Sequence, residues 1–436
     1  MRAVARLGSV VKARRVNRCL LVACPGRDGE SYKEALRSLQ QAGVTAEVYF
    51  APADSAGLCP APCAADAVSA AARDTGAELL VGMGPGGVLD LAKAGAALAP
   101  LAASASGDAV PSTSHFLLGG PGAATLLPGA SLPLILVPTT AAVAATSGRC
   151  LLRTGAPFAG ALVPLAVAGP GPFGVGLGLQ AVDVVADAAL AARQSARGTA
   201  AAGAHALSVF ADSAAAAAGT IKEEMLRDDM AAGLCSAAVA LRQPADATVD
   251  ALQAALAAGV AASDADANAR GGLSVVHALA CVLAGARPGL PFGAACGALL
   301  PPVLRAWASR AEGGGLCEAE SEGEADDAEA VVRSLALLAE DVLPPRAPQR
   351  AASAGPQGPA APLRRLAAFV EERCAAAGLP PGLPLAPGEC LESAAALLAV
   401  RASGAAALWQ RPSPGWLREP RALTGVFRAA LAGPAG

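Results

Sequence analysis

Four short apolar runs in the first third of the chain constrain its fold most. Residues 19–23, Cys-Leu-Leu-Val-Ala, are followed by Cys24, Pro25 and Gly26, which bound them as a buried strand. Residues 45–50, 78–82 and 133–137 read as three further strands. Between them lie segments with helical spacing. Residues 31–41 have Ser31 as a cap and Leu36 and Leu39 on the inner side; residues 64–75 are closed by Gly76; residues 88–98 form the third. Strands alternating with helices through short connections predict an α/β N-terminal domain with a parallel, doubly wound sheet.

Strand signals end near residue 180. Beyond it Val249, Leu252, Leu256 and Val260 share one helical stripe, as do Leu363, Leu366, Val370 and Cys374. An all-α C-terminal domain is expected there. The division falls at residues 1–175 and 176–436, with a low-complexity insertion at about 312–362. Inside it the acidic run 318–329 reads as a mobile surface loop, because dense like charge buries little apolar area, while residues 331–342 read as a helix. Residues 104–128, rich in Gly, Ser and Pro, read as a loop excursion.

The formal net charge is −3 and the basic residues are scattered, which argues against a nucleic-acid surface. Residues 155–182 are uncharged and long enough to span a bilayer, but Pro157, Pro164, Pro170 and Pro172 interrupt them, so no membrane helix is expected. Eleven cysteines, odd in number and dispersed, do not make a disulfide framework. They point to a reducing compartment, the cytoplasm or an organelle lumen, rather than secretion. Cys59 and Cys63 sit in a Pro-rich stretch without a histidine and read as structurally neutral. The basic N-terminus would suit a transit peptide; a basic first helix is preferred, because the first strand begins near Arg18.

Four stretches carry candidate chemistry. Residues 82–93 place Gly84, Pro85, Gly86 and Gly87 between a strand and a helix, with Asp90 and Lys93 one and two turns on. Such a turn lets backbone approach a pyrophosphate at a helix N-terminus; without a ligand it is only a tight turn. Pro138, Thr139 and Thr140 follow the fourth strand, where ligands of open α/β sheets gather. Asp183 and Asp187 are four residues apart amid apolar ones. On a helix they would share a face and could bind a cation; alternatively that face is exposed or caps a helix start. In residues 271–293, His277 and Cys281 share one face of an apolar helix that Arg287, Pro288 and Gly289 end. A histidine there is as a rule a satisfied core residue, and a ligand only when other groups converge on it.

In this order the stretches resemble the iron-containing alcohol dehydrogenase family, of the dehydroquinate synthase-like superfamily. Residues 84–93 look like its GGGSxxDxAK, residues 133–140 like PLIxxPTT, and residues 183–187 like the DxxxH that supplies two metal ligands. Residues 268–304 look like the block holding HxxAH and PHG, and residues 419–430 like the closing motif. The resemblance implies an oxidoreductase that uses NAD or NADP to interconvert a small alcohol and an aldehyde or ketone, and a homo-oligomer. Gly84, Gly86, Gly87, Asp90, Lys93, Thr139 and Thr140 would hold the cofactor. Asp183, Asp187 and His277 would hold a divalent iron or zinc, and His277 and Cys281 would line the catalytic centre.

The departures are specific. Pro85 and Gly87 replace a Gly and the Ser of the glycine motif, and Pro85 removes a backbone donor. Residues 142–146 lack the polar GTGSE pattern, and Phe50 stands where an Asp often reads the ribose. Asp187 replaces a ligand His, Cys281 the second His of HxxAH, and Phe292 the ligand His of PHG. Two metal readings stay open: a rebuilt site of Asp183, Asp187, His277 and Cys281 that suits zinc, or an empty pocket in which His277 hydrogen-bonds one of the two aspartates. The alternative to an enzyme is a catalytically degenerate protein that keeps nucleotide binding or a structural role.

Overall fold

Five strands form one parallel sheet in the order β2-β1-β3-β4-β5: β1 (Arg18–Ala23), β2 (Thr45–Phe50), β3 (Leu79–Gly84), β4 (Leu134–Pro138) and β5 (Asp183–Val184). The computed structural model describes residues 2–24, 29–52, 60–103, 111–117, 131–141, 150–153, 181–220, 222–267, 275–287, 289–312, 322–343, 358–379, 388–404 and 419–433, with shorter pieces between. By internal packing they form two units, one of Met1–Ser195, Ala262–Gly272 and Arg287–Gly289, the other of Ala196–Ala261, Leu273–Ala286 and Leu290–Gly436.

In the first unit, β1 and β3 lie inside the sheet and are almost wholly buried, so they read as unbroken apolar runs. β2 is the edge strand and only partly covered. Helices α1 (Leu7–Ala13), α2 (Gly29–Gln41), α3 (Pro62–Asp74) and α4 (Gly86–Leu98) occupy the expected positions. Ser31 is not a cap: α2 starts at Gly29, and Ser31 lies inside the helix, accepting a hydrogen bond from Arg193 Nη1 at 3.2 Å. The packing of α4 on β3 depends on missing side chains. A Cβ on Gly82 would come within 2.6 Å of Ala92 Cβ, and one on Gly84 within 2.7 Å of Val88 Cβ. The stretch expected as a loop holds a 3-10 turn, Thr113–Phe116, fixed by Asp66, whose Oδ1 accepts from Thr113 N at 2.7 Å. It also holds a short strand, Thr125–Leu126, paired with Val167–Ala168. Among the described residues no helix is long and apolar enough to cross a membrane.

Asp183 and Asp187 do not share a helix face. Asp183 lies on β5, its carboxylate paired with the Arg14 guanidinium at 2.7 Å. Asp187 caps the short helix α5 (Ala188–Ala191), its Oδ1 accepting from Ala189 N at 2.9 Å and its Oδ2 from Val4 N at 3.0 Å. Of the alternatives read from sequence, capping a helix start is the one realised by Asp187. A parallel strand is required at 183–184 to pair with Ile135 and Leu136, and that pairing removes the helical spacing.

The second unit is helical: α6 (Ala196–Ala217), α7 (Lys222–Arg242), α8 (Thr248–Ala267), α9 (Val275–Ala286), α10 (Phe292–Ala311), α11 (Glu322–Val342), α12 (Ala360–Ala376), α13 (Leu391–Gly404) and α14 (Pro420–Ala432). α10 is central, packing against α6, α9, α12 and α14. The stripe Leu363, Leu366, Val370 and Cys374 is buried as expected. The stripe of α8 is buried only at Leu252: Val249 and Val260 are 63% and 53% exposed, Leu256 is exposed too, and α8 turns its alanines inward instead. Small residues allow close approach; a Cβ on Gly233 of α7 would lie 2.3 Å from Ala257 Cβ of α8. The acidic run is also corrected. α11 begins at Glu322, so residues 322–329 are helical and not a loop. The buried stripe of Ala328, Val331, Val332, Leu335 and Leu338 anchors that helix.

Replacing Asp187 with Ala is expected to destabilise the first unit by about 2 kcal/mol, because two backbone N–H groups lose their acceptor. Urea unfolding of the purified variant measures it; an unchanged midpoint contradicts the capping role.

Candidate active site and metal centre

The strand order reverses between β1 and β3, which defines the switch point where open α/β sheets bind ligands at their carboxyl edge. The glycine turn lies on that edge. Gly84 ends β3, Pro85 is the N-cap of α4 without any side-chain cap, and Gly86 and Gly87 open the helix, partly exposed. Pro138 ends β4 beside it, and Thr139 N donates to Gly84 O at 3.1 Å. The structure therefore brings together Gly84, Gly86, Gly87, Thr139 and Thr140. Thr139 is buried and Thr140 half-buried. Residues 142–146, where the motif departs from the polar pattern, lie outside the described residues.

Asp90 and Lys93 lie below that edge and face inward. Lys93 is fully buried, and its Nζ is 3.6 Å from Asp90 Oδ1, close enough for an ion pair and too long for a hydrogen bond. Burial raises the Asp90 carboxyl to about 6, opposed by the Lys93 charge and a hydrogen bond with the backbone of Leu151. Two turns of α4 thus hold a buried charge pair behind the glycine turn. Phe50, at the carboxyl end of edge strand β2, is 45% exposed and meets Tyr32 edge-on at 5.3 Å between ring centroids.

The second unit holds a separate cluster. His277 is buried on α9, and its partner is Asp212 of α6, neither Asp183 nor Asp187. Asp212 Oδ2 accepts from His277 Nδ1 at 2.7 Å and from the His277 backbone N at 3.1 Å; Oδ1 accepts from Val276 N at 3.2 Å. An ionised carboxylate only accepts, so Nδ1 carries the proton and the neutral ring keeps a lone pair on Nε2. His205 Nε2, one helix over on α6, lies 3.2 Å from that atom. Cys296 Sγ completes the group; the three donor atoms all lie within 4.8 Å of one another. Phe292 packs against both imidazoles, with centroids at 5.0 Å from His205 and 5.8 Å from His277. Gly293 makes this possible, since a Cβ there would lie 2.3 Å from Ala201 O of α6. Cys281 is buried one turn beyond His277 and is not part of the donor group.

His205, Asp212 and Cys296 carry no motif that marks them in the sequence. Two signals were available: His205 is one of three histidines in the chain, and Cys296 stands one helical turn beyond Phe292, on the same face.

The molecule is thus an α/β unit with a glycine turn on the carboxyl edge of its sheet and an all-helical unit with a largely buried imidazole–thiol cluster. The family model described as iron-containing alcohol dehydrogenase matches residues 1–154. Solved structures match throughout. They include an archaeal halo-thermophilic alcohol dehydrogenase from a Red Sea brine pool (15% identity, 98% of this chain and 95% of that one, TM-score 0.71). Others are the iron-containing alcohol dehydrogenase of Thermococcus thioreducens (18%, 99% and 97%, 0.70) and the NADH-dependent butanol dehydrogenase A of Thermotoga maritima (13%, 98% and 95%, 0.68). Compared by sequence with curated proteins, the chain finds no match. It has the fold of the iron-containing alcohol dehydrogenases over its length and their sequence pattern over residues 1–154.

Lys93→Met is expected to cost about 1–3 kcal/mol at neutral pH, because it removes the charge that lowers the Asp90 carboxyl, which must then give up its ionisation or bear it alone. The Asp90 carboxyl is raised in the folded state, so its ionisation opposes folding increasingly as pH climbs from about 4 through about 6. The loss should therefore shrink below pH 5. Urea unfolding across pH 4–8 checks it; a pH-independent cost would contradict the pairing.

Proposed function

We propose that this chain is an oxidoreductase that uses NAD or NADP to interconvert a small alcohol and an aldehyde or ketone. The observation that carries the reading is the uncapped glycine turn on the carboxyl edge of a parallel 2-1-3-4-5 sheet. The first amides of α4 and its positive dipole end suit a pyrophosphate. Thr139 and Thr140 stand beside the turn, and Asp90 and Lys93 support it from within. Phe50 leaves the end of β2 without a carboxylate to repel a 2′-phosphate, so acceptance of both dinucleotides fits the residues. Hydride exchange is the chemistry that a nicotinamide supplies when bound; polarising the substrate oxygen is what a divalent iron or zinc supplies. His277, held by Asp212, turns its Nε2 toward His205 and Cys296, where that ion could be held. A homo-oligomer and a reducing compartment accompany this reading.

A specific observation favours the second reading, a catalytically degenerate protein. Phe292 puts an apolar ring against both imidazoles. Binding and turnover separate the two. The wild-type protein is expected to quench or shift NADH and NADPH fluorescence on binding, and to reduce short aldehydes with metal supplied. Gly86→Val, which places a branched side chain where backbone must approach the phosphates, should weaken binding at least about tenfold, or ~1.4 kcal/mol. Equal affinity in the variant overturns the cofactor assignment. Binding without turnover supports the degenerate protein.

A further inference from the structure

We propose that His205, His277 and Cys296 form a three-donor zinc site oriented by Asp212. It differs from both metal readings available in the sequence, since it uses neither Asp183 nor Asp187 nor Cys281. Both of those aspartates have other partners, on Arg14 and on backbone amides of the first unit. The donors here come from three helices, α6, α9 and α10, that pack directly on one another.

The geometry suits one small ion. Two nitrogens about 2.05 Å from zinc at a tetrahedral angle lie roughly 3.3 Å apart. The two imidazole Nε2 atoms are 3.2 Å apart. A zinc-bound nitrogen and sulfur lie about 3.6 Å apart by the same arithmetic. The donor atoms here are within 4.8 Å, so Cys296 needs to close by at most about 1.2 Å, a reach that a χ1 adjustment covers.

Asp212 supplies what a coordinating histidine needs. A ligand imidazole gives its other ring N–H to a carboxylate, which fixes the tautomer and aims the lone pair. The 2.7 Å bond from His277 Nδ1 to Asp212 Oδ2 does this, and the same oxygen holds the His277 backbone. Asp212 is thus a positioning residue, not a ligand. Cys296 is fully buried and binds as the thiolate, releasing its proton to solvent as the ion enters, and His205 changes tautomer, its proton moving from Nε2 to Nδ1 so that Nε2 can bind. Two imidazoles and a thiolate, without a carboxylate, favour zinc over the harder ferrous ion. The donor that Phe292 does not offer is thereby replaced from one turn further along α10. Three protein donors leave a fourth position for water or a substrate oxygen. The proposal rests on the oxidoreductase reading only in that last clause; a protein without turnover would still bind the ion.

The test uses the full-length protein, stripped with chelator and reconstituted with Zn(II) or Co(II) alone. About one ion per chain is expected, with sulfur-to-cobalt charge transfer in the near ultraviolet and intense tetrahedral d–d bands. X-ray absorption of the zinc form should show one sulfur at about 2.3 Å and nitrogens at about 2.0 Å. Cys296→Ser should abolish the charge-transfer band, and His277→Ala the ion. Asp212→Asn should weaken zinc affinity 10–100-fold while the circular dichroism stays native. Asp183→Ala and Cys281→Ser should keep full stoichiometry. A folded wild type that takes up neither ion at neutral pH leaves only an imidazole–imidazole hydrogen bond and overturns the proposal. So does a cobalt form whose charge-transfer band survives in Cys296→Ser. Dinucleotide fluorescence on the same samples reports the oxidoreductase reading separately, so either can fail alone.

Discussion

The carboxylate of Asp212 fixes the helical unit at its centre. It accepts two amide protons from the first turn of α9 and one from the ring of His277. Helix α9 is buried on every side, so those first-turn amides have no water to turn to. A buried carboxylate is costly alone, and three donors at a positive helix end offset that cost. One group therefore sets where α9 begins and which nitrogen of His277 faces His205. The chemistry of the cluster is inherited from a fold-determining contact, and the two cannot be varied independently.

The first unit solves a different problem. The carboxyl edge of its sheet brings a strand, a helix and a neighbouring loop close together, and it does so by omission. Gly82 and Gly84 let α4 lie against β3, and Thr139 ties the loop after β4 to the end of β3. The buried pair of Asp90 and Lys93 then sits inside the helix that presents the turn.

The sheet and the glycine turn were legible because each rests on a local pattern: apolar runs of strand length, Gly and Pro at the joints, helical spacing between. The stripe of α12 was legible for the same reason. The carboxylates at 183 and 187 were not, because i, i+4 spacing says nothing unless the segment is a helix, and pairing with β4 makes it a strand. The stripe of α8 misled because alanine buries as readily as valine when helices approach closely. The acidic run misled because charge density was weighed over residues 318–329 alone, while the apolar stripe that orders α11 lies mostly beyond them. The imidazole–thiol cluster was hidden most deeply. Its members lie on three helices, and only tertiary packing brings Cys296 to the two histidines.

The close contacts built on glycine and alanine reverse the usual direction of damage in a protein interior. In most cores the harmful change removes volume and leaves a cavity. Where Gly233 meets Ala257 at 2.3 Å from a would-be Cβ, there is almost nothing left to remove. Injury comes from addition, since each extra methyl must push two helix backbones apart. Drift toward larger side chains is closed to these seams. Sequence divergence within the helical unit should therefore run through its outward faces, with the seams held small.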